Sequence, residues 1–230
     1  MSLVYNNLGY SELKVSNICL GTMTFGEQTS QEEAFKILDF AYSEGINFID
    51  TAEMYPIYPK AETQGLTEKI IGKWISSRKN RDKIIIATKI CSNHPKGIGA
   101  TELKWIRGGG KNLRFDKKNF DIAIDGSLKR LGTDYIDLYQ LHWPERSVPV
   151  FGQLDYVHDP DDINWTPIKE VLENLDRLIK THHRFEPEYV LPPTMTRCTR
   201  CLASHGLSGG SVPERLPIPR AAVPPLLQKE

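Results

Sequence analysis

The sequence predicts an α/β fold in which parallel strands alternate with helices along residues 1–180. Two observations support this fold class. Short apolar runs alternate with segments whose apolar residues recur at i, i+3, i+4 and i+7, and this strand–helix order repeats four times. Consecutive strands that are joined through a helix run parallel, since a tight turn joins only antiparallel strands.

The N-terminal segment predicts a small β-hairpin that precedes the first parallel strand. Val4–Tyr5 and Leu13–Val15 are largely apolar and flank a polar turn. The next apolar run, Asn17–Leu20, is interpreted as the first strand of the repeat, and it ends at Gly21.

The first helix is predicted over Gln31–Glu44. Ser30 and Glu33 have the spacing of a capping box at its start, and Gly45 is a typical helix stop. One face of the helix is apolar and consists of Ala34, Ile37, Leu38 and Ala41.

The later elements follow the same alternation. We predict strands over Ile46–Ile49, Lys83–Thr88 and Tyr135–Leu141, and helices over Thr67–Ser76, from Asp116 to Gly132, and after Thr166–Pro167. A long polar loop is predicted over residues 91–115. These three strands are followed at once by a polar side chain, which is Asp50, Lys89 or His142.

Two architectures fit four strand–helix units: an open doubly wound sheet and part of a (β/α)8 barrel. The doubly wound dinucleotide fold carries G-x-G-x-x-G after its first strand, and Gly21–Gly26 does not match that pattern. The Gly108–Gly110 run follows no strand directly, so we interpret it as a flexible loop. We therefore favour the (β/α)8 barrel, of which residues 1–180 supply the hairpin and the first four βα units.

The polar residues at the strand ends are candidates for catalysis. Active sites of (β/α)8 barrels lie at the carboxyl ends of the strands, and neighbouring strands are roughly 5 Å apart. Asp50, Lys89 and His142 would therefore converge there, together with Tyr55 in the loop after Asp50. This set contains no serine or cysteine nucleophile paired with a base, and it forms no obvious metal site.

The chemistry of this set suits protonation of a carbonyl oxygen. A tyrosine hydroxyl has an ordinary pKa of about 10, and a nearby ammonium group is expected to lower it. Asp50 would orient Lys89 and neutralise its charge, and His142 would offer a second hydrogen bond to the same oxygen.

Four motifs, in this order, resemble the aldo-keto reductases. They are Gly21–Gly26 (GTMTFG), Phe48–Tyr55 (FIDTAEMY), Ile86–Lys89 (IATK) and Asp134–Pro144 (DYIDLYQLHWP). The resemblance covers residues 1 to about 180, and the loop Pro56–Gly65 looks like that of a bacterial Tas-like branch. It implies a (β/α)8 barrel whose catalytic tetrad is Asp50, Tyr55, Lys89 and His142.

The resemblance also implies a cofactor and a substrate class. Tyr55 would donate a proton while NADPH, or alternatively NADH, delivers hydride to the carbonyl carbon of a small aldehyde or ketone. The residues that match family positions near the nicotinamide ribose are Gly21, Thr22, Met23 and Asp50. Trp143 would border the substrate pocket.

Composition argues against several other partners. Lys plus Arg and Asp plus Glu both number 29, so the chain has no net charge with which to attract nucleic acid or an anionic membrane. No apolar run approaches the ~18 residues of a membrane span, and the N-terminus lacks the layout of a secretory signal. With only four cysteines in 230 residues, we expect a cytoplasmic protein.

Residues 181–230 are predicted to be a separate, irregular tail. They contain 8 of the 15 prolines, no Asp and no Asn, and Arg outnumbers Lys by 5 to 1. Cys198 and Cys201 have C-x-x-C spacing, with His182, His183 and His205 nearby in sequence. A single C-x-x-C without a second spaced pair of ligands does not predict a zinc site.

No fifth strand or later cofactor loop is recognisable after Lys180. An alternative is therefore a truncated, catalytically inactive barrel fragment that arises from a frameshift or a splice product. Its first and fourth strands would have open edges, through which it would self-associate or pair with another barrel half. We expect such a fragment to bind a nicotinamide cofactor weakly or not at all.

Overall fold

The computed structural model describes residues 3–9, 11–92, 103, 105–107, 113–145, 160 and 165–182. Contacts group them into one unit, Met1–Val190. The strands are β1 (Tyr5–Asn7), β2 (Lys14–Ser16), β3 (Cys19–Gly21), β4 (Phe48–Asp50), β5 (Ile85–Ile90) and β6 (Leu138–Leu141). The helices are α1 (Gln31–Ser43), α2 (Leu66–Arg78), α3 (Lys117–Leu131) and α4 (Ile168–His182). Gly108–Gly110, the Cys198/Cys201 pair and residues 183–230 lie outside the described residues. Helix α4 continues to His182, two residues into the predicted tail, and the tail as a separate segment stays a prediction.

Strands β3 to β6 form one parallel sheet in the order β3-β4-β5-β6, as the strand–helix alternation predicts. The outward side chains of this sheet pack against the helices: Ile49, Ile86 and Ile90 share one buried cluster with Leu38 of α1 and Trp74 of α2. Helices on one side of four consecutive parallel strands are the arrangement of the first four βα units of a barrel.

The strands run further toward their carboxyl ends than their apolar runs suggest. The structure places β4 through Asp50 and β5 through Ile90, so Lys89 lies inside a strand rather than after it. The ladder continues beyond the assigned strands, because Thr51 N donates to Ala87 O and His142 N donates to Ile90 O, both at 2.9 Å. Apolar periodicity reports burial, whereas the hydrogen bonds that define a strand extend into its polar end.

The helix boundaries agree closely with the signals in the sequence. Ser30 and Glu33 form the predicted capping box at the start of α1. The Asp116 side chain accepts from Asn119 N at the start of α3, and Gly132 ends that helix with a φ of 65°, in the left-handed region that glycine adopts readily. None of the helices in the described ranges is long and apolar enough to cross a membrane.

The predicted hairpin closes the amino-terminal end of the sheet. Strands β1 and β2 pair antiparallel, and Leu13 and Val15 form a small buried cluster with Ile85 of β5. Asn47, just before β4, fixes this contact: its Oδ1 accepts from Ser16 N at 2.8 Å and its Nδ2 donates to Lys14 O at 2.9 Å.

A buried ion pair joins the approaches to β5 and β6. The Asp137 side chain is fully buried, accepts from Ile86 N at 2.9 Å and lies 2.8 Å from Arg81 Nη2. Arg81 also donates to the carbonyl oxygens of Ile84 and Tyr135. The pair therefore ties the turn before β5 to the segment before β6 at a point where water is excluded.

We expect Arg81→Met to destabilise the protein by about 3–5 kcal/mol, because it leaves the Asp137 carboxylate buried without its cation. The measurement is the free energy of unfolding from urea titration. Lys180→Met, which removes a solvent-exposed partner of Asp176 one helical turn away, is the control and should cost less than about 0.5 kcal/mol. Equal losses in the two variants would contradict the importance of the buried pair.

Candidate active site

Strand register brings three of the predicted residues to one face of the sheet. Asp50 is aligned with Ala87, and Lys89 with Gln140. Because side chains alternate along a strand, Asp50, Lys89 and the position two residues beyond Gln140, which is His142, share the face opposite the helices. The carboxyl ends of β4, β5 and β6 thus carry a carboxylate, an ammonium group and an imidazole side by side.

Lys89 is tied to Asp50 at the centre of this face. Its Nζ donates to Asp50 Oδ2 and to Thr51 O, both at 2.6 Å. The Lys89 side chain is 12% exposed and that of Asp50 is 29% exposed. The predicted neutralisation of the ammonium group by Asp50 is therefore present as a direct, largely buried ion pair.

Tyr55 lies above this pair and against His142. Its hydroxyl is 3.5 Å from His142 Nε2, and the two rings meet edge to face with centroids 5.4 Å apart. Lys89 Nζ is 5.1 Å from the centroid of the Tyr55 ring. The structure thus brings Asp50, Tyr55, Lys89 and His142 into one cluster, although they are spread over more than ninety positions of the chain.

The electrostatics of this cluster differ from the prediction in one respect. Burial, and next the negative charge of Asp50, raise the pKa of Tyr55 to about 12. The expectation that Lys89 lowers this pKa was wrong, because its charge is paired with the Asp50 carboxylate at 2.6 Å. The phenol is therefore held in its protonated form at neutral pH.

His142 is neutral at physiological pH. Burial, and next the positive charge of Lys89, lower its pKa to about 3. Its Nδ1 is buried without a hydrogen-bond partner among the described residues. A neutral imidazole and a protonated phenol placed side by side can each form a hydrogen bond with the same oxygen atom of a bound molecule.

The residues predicted to lie near a nicotinamide ribose differ in how accessible they are to a bound molecule. Gly21, at the end of β3, pairs with Asp50, and a Cβ atom there would meet nothing within 4 Å. The Met23 side chain is exposed. Thr22 is fully buried, and both its backbone N and its hydroxyl donate to Asp50 O, at 3.2 and 2.8 Å. Thr22 therefore fixes Asp50 rather than presenting a free hydroxyl.

Tyr55 belongs to a buried apolar cluster. Trp143 is buried in it, with its ring centroid 4.7 Å from that of His142. Its other buried members are Ala52, Met54, Cys91, Leu103, Ile106 and Leu113. The interpretation of residues 91–115 as a polar loop was therefore wrong in part, because Leu103, Ile106 and Leu113 are buried in the same cluster as Tyr55.

Two charged residues at this site were not predicted. Glu53 and Arg107 form a buried ion pair with Arg107 Nη1 2.5 Å from Glu53 Oε1. Glu53 lies inside the Phe48–Tyr55 motif, where a carboxylate in an otherwise small and apolar segment is a signal that could have been noticed. Arg107 carries no such signal, because its partner is 54 positions away in the sequence.

Parallel strands with helices on one face and polar side chains at their carboxyl ends are the arrangement found in barrel-type enzymes. The profile of the Aldo/keto reductase family matches residues 17–181. The chain therefore belongs to the aldo/keto reductase family, which is a family of oxidoreductases. This confirms the predicted family and the (β/α)8-type fold.

Individual relatives agree with this assignment. The chain is 42% identical over 192 residues to Protein tas of Escherichia coli, a match that covers 81% of this chain and 50% of that protein. It is 35% identical over 204 residues to the uncharacterized oxidoreductase YrpG of Bacillus subtilis, covering 79% and 57%. The holo form of aldo-keto reductase AKR11C1 from Bacillus halodurans matches with a TM-score of 0.53 and 32% identity, covering 79% and 48%. The chain thus spans about half the length of these relatives.

We expect the depressed pKa of His142 to make folding stability depend on pH. Between about pH 3 and pH 6.5 the unfolded chain binds the proton that folded His142 refuses. The contribution of His142 to the free energy of unfolding is therefore complete above about pH 6.5 and is lost as the pH falls. Wild-type protein should lose about 2 kcal/mol through this group between about pH 7.5 and pH 5, measured by urea titration.

His142→Gln should lack this component, and its stability should depend less steeply on pH over the same interval. Leu38→Ala is the control, since it lowers stability by removing a buried apolar side chain without altering any charged group, and it should keep the wild-type slope. Indistinguishable slopes for wild type and His142→Gln would show that His142 does not titrate with a depressed pKa.

Proposed function

We propose that this chain reduces small aldehydes and ketones to alcohols in the cytoplasm, with NADPH as the hydride donor and Tyr55 as the proton donor. The observation that supports it most directly is the contact between Tyr55 and His142 above the Lys89–Asp50 ion pair. Two hydrogen-bonding groups there face one point where a carbonyl oxygen can lie. The chain spans about half the length of its relatives, and we propose this activity for the chain itself.

Each member of the tetrad has a defined task in this reaction. Tyr55, whose pKa is about 12, carries its proton at neutral pH and releases it to the carbonyl oxygen as negative charge develops there. Neutral His142 orients the same oxygen through Nε2. Lys89 lies 5.1 Å from the Tyr55 ring and pairs with Asp50, which limits the repulsion between the Asp50 carboxylate and the phenolate left after proton transfer.

The residues at the ends of β3 and β4 fit a nicotinamide nucleotide. Open space above Gly21 lies beside the partly exposed Asp50 carboxylate, which suits a ribose hydroxyl, and the exposed Met23 adds an apolar surface. Thr22 contributes by fixing the backbone of Asp50. The cofactor, when bound, supplies the hydride for the carbonyl carbon, and NADH could serve in place of NADPH.

The apolar cluster beside Tyr55 supports an uncharged carbonyl compound as substrate. Trp143 lies against His142 and borders the space in front of the phenol. Trp105 and Ile57 pack on the same cluster. A small molecule with an apolar substituent would place its carbonyl oxygen at Tyr55 and its carbon chain on this wall.

We expect Tyr55→Phe to lower kcat by about 10²–10⁴-fold, because it removes the proton donor and leaves the ring in place. Turnover is measured as NADPH consumption with a panel of aldehydes, and circular dichroism checks the fold. Tyr139→Phe is the matched control: its hydroxyl is buried on the helix side of β6 without a partner among the described residues, so kcat should be unchanged. Wild-type turnover in Tyr55→Phe would exclude Tyr55 as the donor.

A second candidate function is pairing with another barrel half. Among the described residues, β3 and β6 each pair with a strand on one side only. Because Thr22 N donates to Asp50 O, strand alternation turns the N–H groups of Cys19 and Gly21 to the open side of β3. Unpaired groups of this kind are a template for a strand of another chain.

If this second function holds, the wild-type chain should sediment as a dimer or larger species at micromolar concentration. Cys19→Pro removes one outward N–H without breaking the β3–β4 ladder, so it should shift the protein toward the monomer. Cys91→Ala, a change at a buried position away from that edge, is the control and should not alter the sedimentation. A monomeric wild-type protein would exclude self-association through this edge.

A further inference from the structure

The Glu53–Arg107 pair lies between the loop that follows β4 and the loop that follows β5. Glu53 is 1% exposed, and the Arg107 side chain is 3% exposed. Glu53 Oε1 accepts from Arg107 Nη1 and, at 2.8 Å, from Cys91 N. Arg107 Nη2 donates to Cys91 O at 2.9 Å. The Glu53 carboxylate therefore binds the backbone N–H of Cys91, and the Arg107 guanidinium group binds the backbone carbonyl of the same residue.

These contacts reach the tetrad through the backbone. Glu53 lies between Asp50 and Tyr55, and its N donates to Lys89 O at 3.2 Å. Cys91 is two residues beyond Lys89 and follows directly on the end of β5. The pair thus ties the segment that carries Tyr55 to the strand that carries Lys89, and neither Glu53 nor Arg107 belongs to the tetrad itself.

Arg107 also fixes the apolar wall beside Tyr55. Its backbone has a φ of 54°, in the left-handed region that a residue with a side chain seldom adopts. Ile106, which precedes it, is fully buried in the cluster that contains Tyr55, and Trp105 packs on the same cluster. The ion pair supports this unfavourable backbone conformation and with it the contact of Ile106 with the cluster.

We propose that Glu53 and Arg107 are positioning residues, which hold the Tyr55 hydroxyl at the distance from His142 and Lys89 that proton transfer needs. This inference rests on the proposed function, because it assigns the pair a part in that reaction. Proton transfer depends on the alignment of heavy atoms, and displacements of about 1 Å can cost about a hundredfold in rate. A buried, two-nitrogen contact resists such displacement better than packing alone.

The chain contains a matched control for this proposal. Arg130 Nε lies 2.6 Å from Glu68 Oε2, the Glu68 side chain is fully buried, and its Oε1 accepts from Thr88 Oγ1. This second pair joins α2 to α3 on the helix side of the sheet. Arg130→Met removes this buried contact but keeps a side chain of similar length to pack on Gly65, whose N donates to Tyr55 O at 2.9 Å.

The experiment compares Arg107→Met and Glu53→Gln with Arg130→Met in the full chain. We expect the first two to lower kcat about tenfold to a hundredfold while the KM for NADPH stays within about threefold. Arg130→Met, assayed per folded molecule, should keep the wild-type kcat. Arg107→Lys, which keeps the charge but reaches only one of the two acceptors, should fall between wild type and Arg107→Met.

A second measurement does not depend on turnover. Hydrogen exchange of the amides of residues 51–55 and 105–107 should accelerate in Arg107→Met and in Glu53→Gln, but not in Arg130→Met. If Arg107→Met fails to fold, the isosteric Glu53→Gln variant decides. An unchanged kcat per folded molecule together with unchanged exchange at residues 51–55 would overturn the proposal. If wild type itself shows no turnover, the proposed function fails, and the exchange data alone support or overturn the positioning role.

Discussion

The site depends on the register in which four short parallel strands pair. Asp50 is aligned with Ala87 and Ala87 with Leu138, and side chains alternate along each strand. This alignment sends Asp50, Lys89 and His142 to one face and sends Ile49, Ile86 and Ile90 into the helix-packed core. A slip of one residue would exchange the two sets and bury an ammonium group among aliphatic side chains. Hydrophobic packing on the outer face therefore also determines the geometry of the polar face.

The same constraint explains the state of the tetrad. A lysine near the centre of a barrel needs a counter-ion, and the register supplies Asp50 at 2.6 Å. Because Asp50 largely neutralises the positive charge of Lys89, that charge does little to favour a phenolate. Burial and the Asp50 carboxylate therefore raise the pKa of Tyr55. The register also leaves His142 beside a cation in a dry environment, where the neutral imidazole is favoured. A protonated phenol beside a neutral imidazole therefore follows from the burial of both rings and, next, from the charges of Asp50 and Lys89.

Local signals in the sequence predicted the elements well. The capping box at Ser30, the cap at Asp116 and the stop at Gly132 each depend on residues within a few positions, and the structure confirms them. The strand ends were less accurate, because ladder hydrogen bonds extend past the apolar run to Lys89. The role of Thr22 and the Glu53–Arg107 contact were not predicted, since each depends on a partner between 28 and 54 positions away. No periodicity encodes such a contact.

The fold contains two buried arginine–glutamate pairs, and the segments that each pair joins determine which property of the protein it affects. Both lie in a dry environment and both join segments far apart in the chain. Glu68 and Arg130 bridge two helices, where α3 approaches α2 so closely that a Cβ at Gly72 would lie 2.5 Å from Leu131 O. Glu53 and Arg107 instead connect the segment that carries Tyr55 to the end of the strand that carries Lys89. Under the proposed function, a small displacement at Glu53 or Arg107 would alter the alignment of Tyr55 with its substrate, so we expect this pair to bear on chemistry and the Glu68–Arg130 pair to bear on stability.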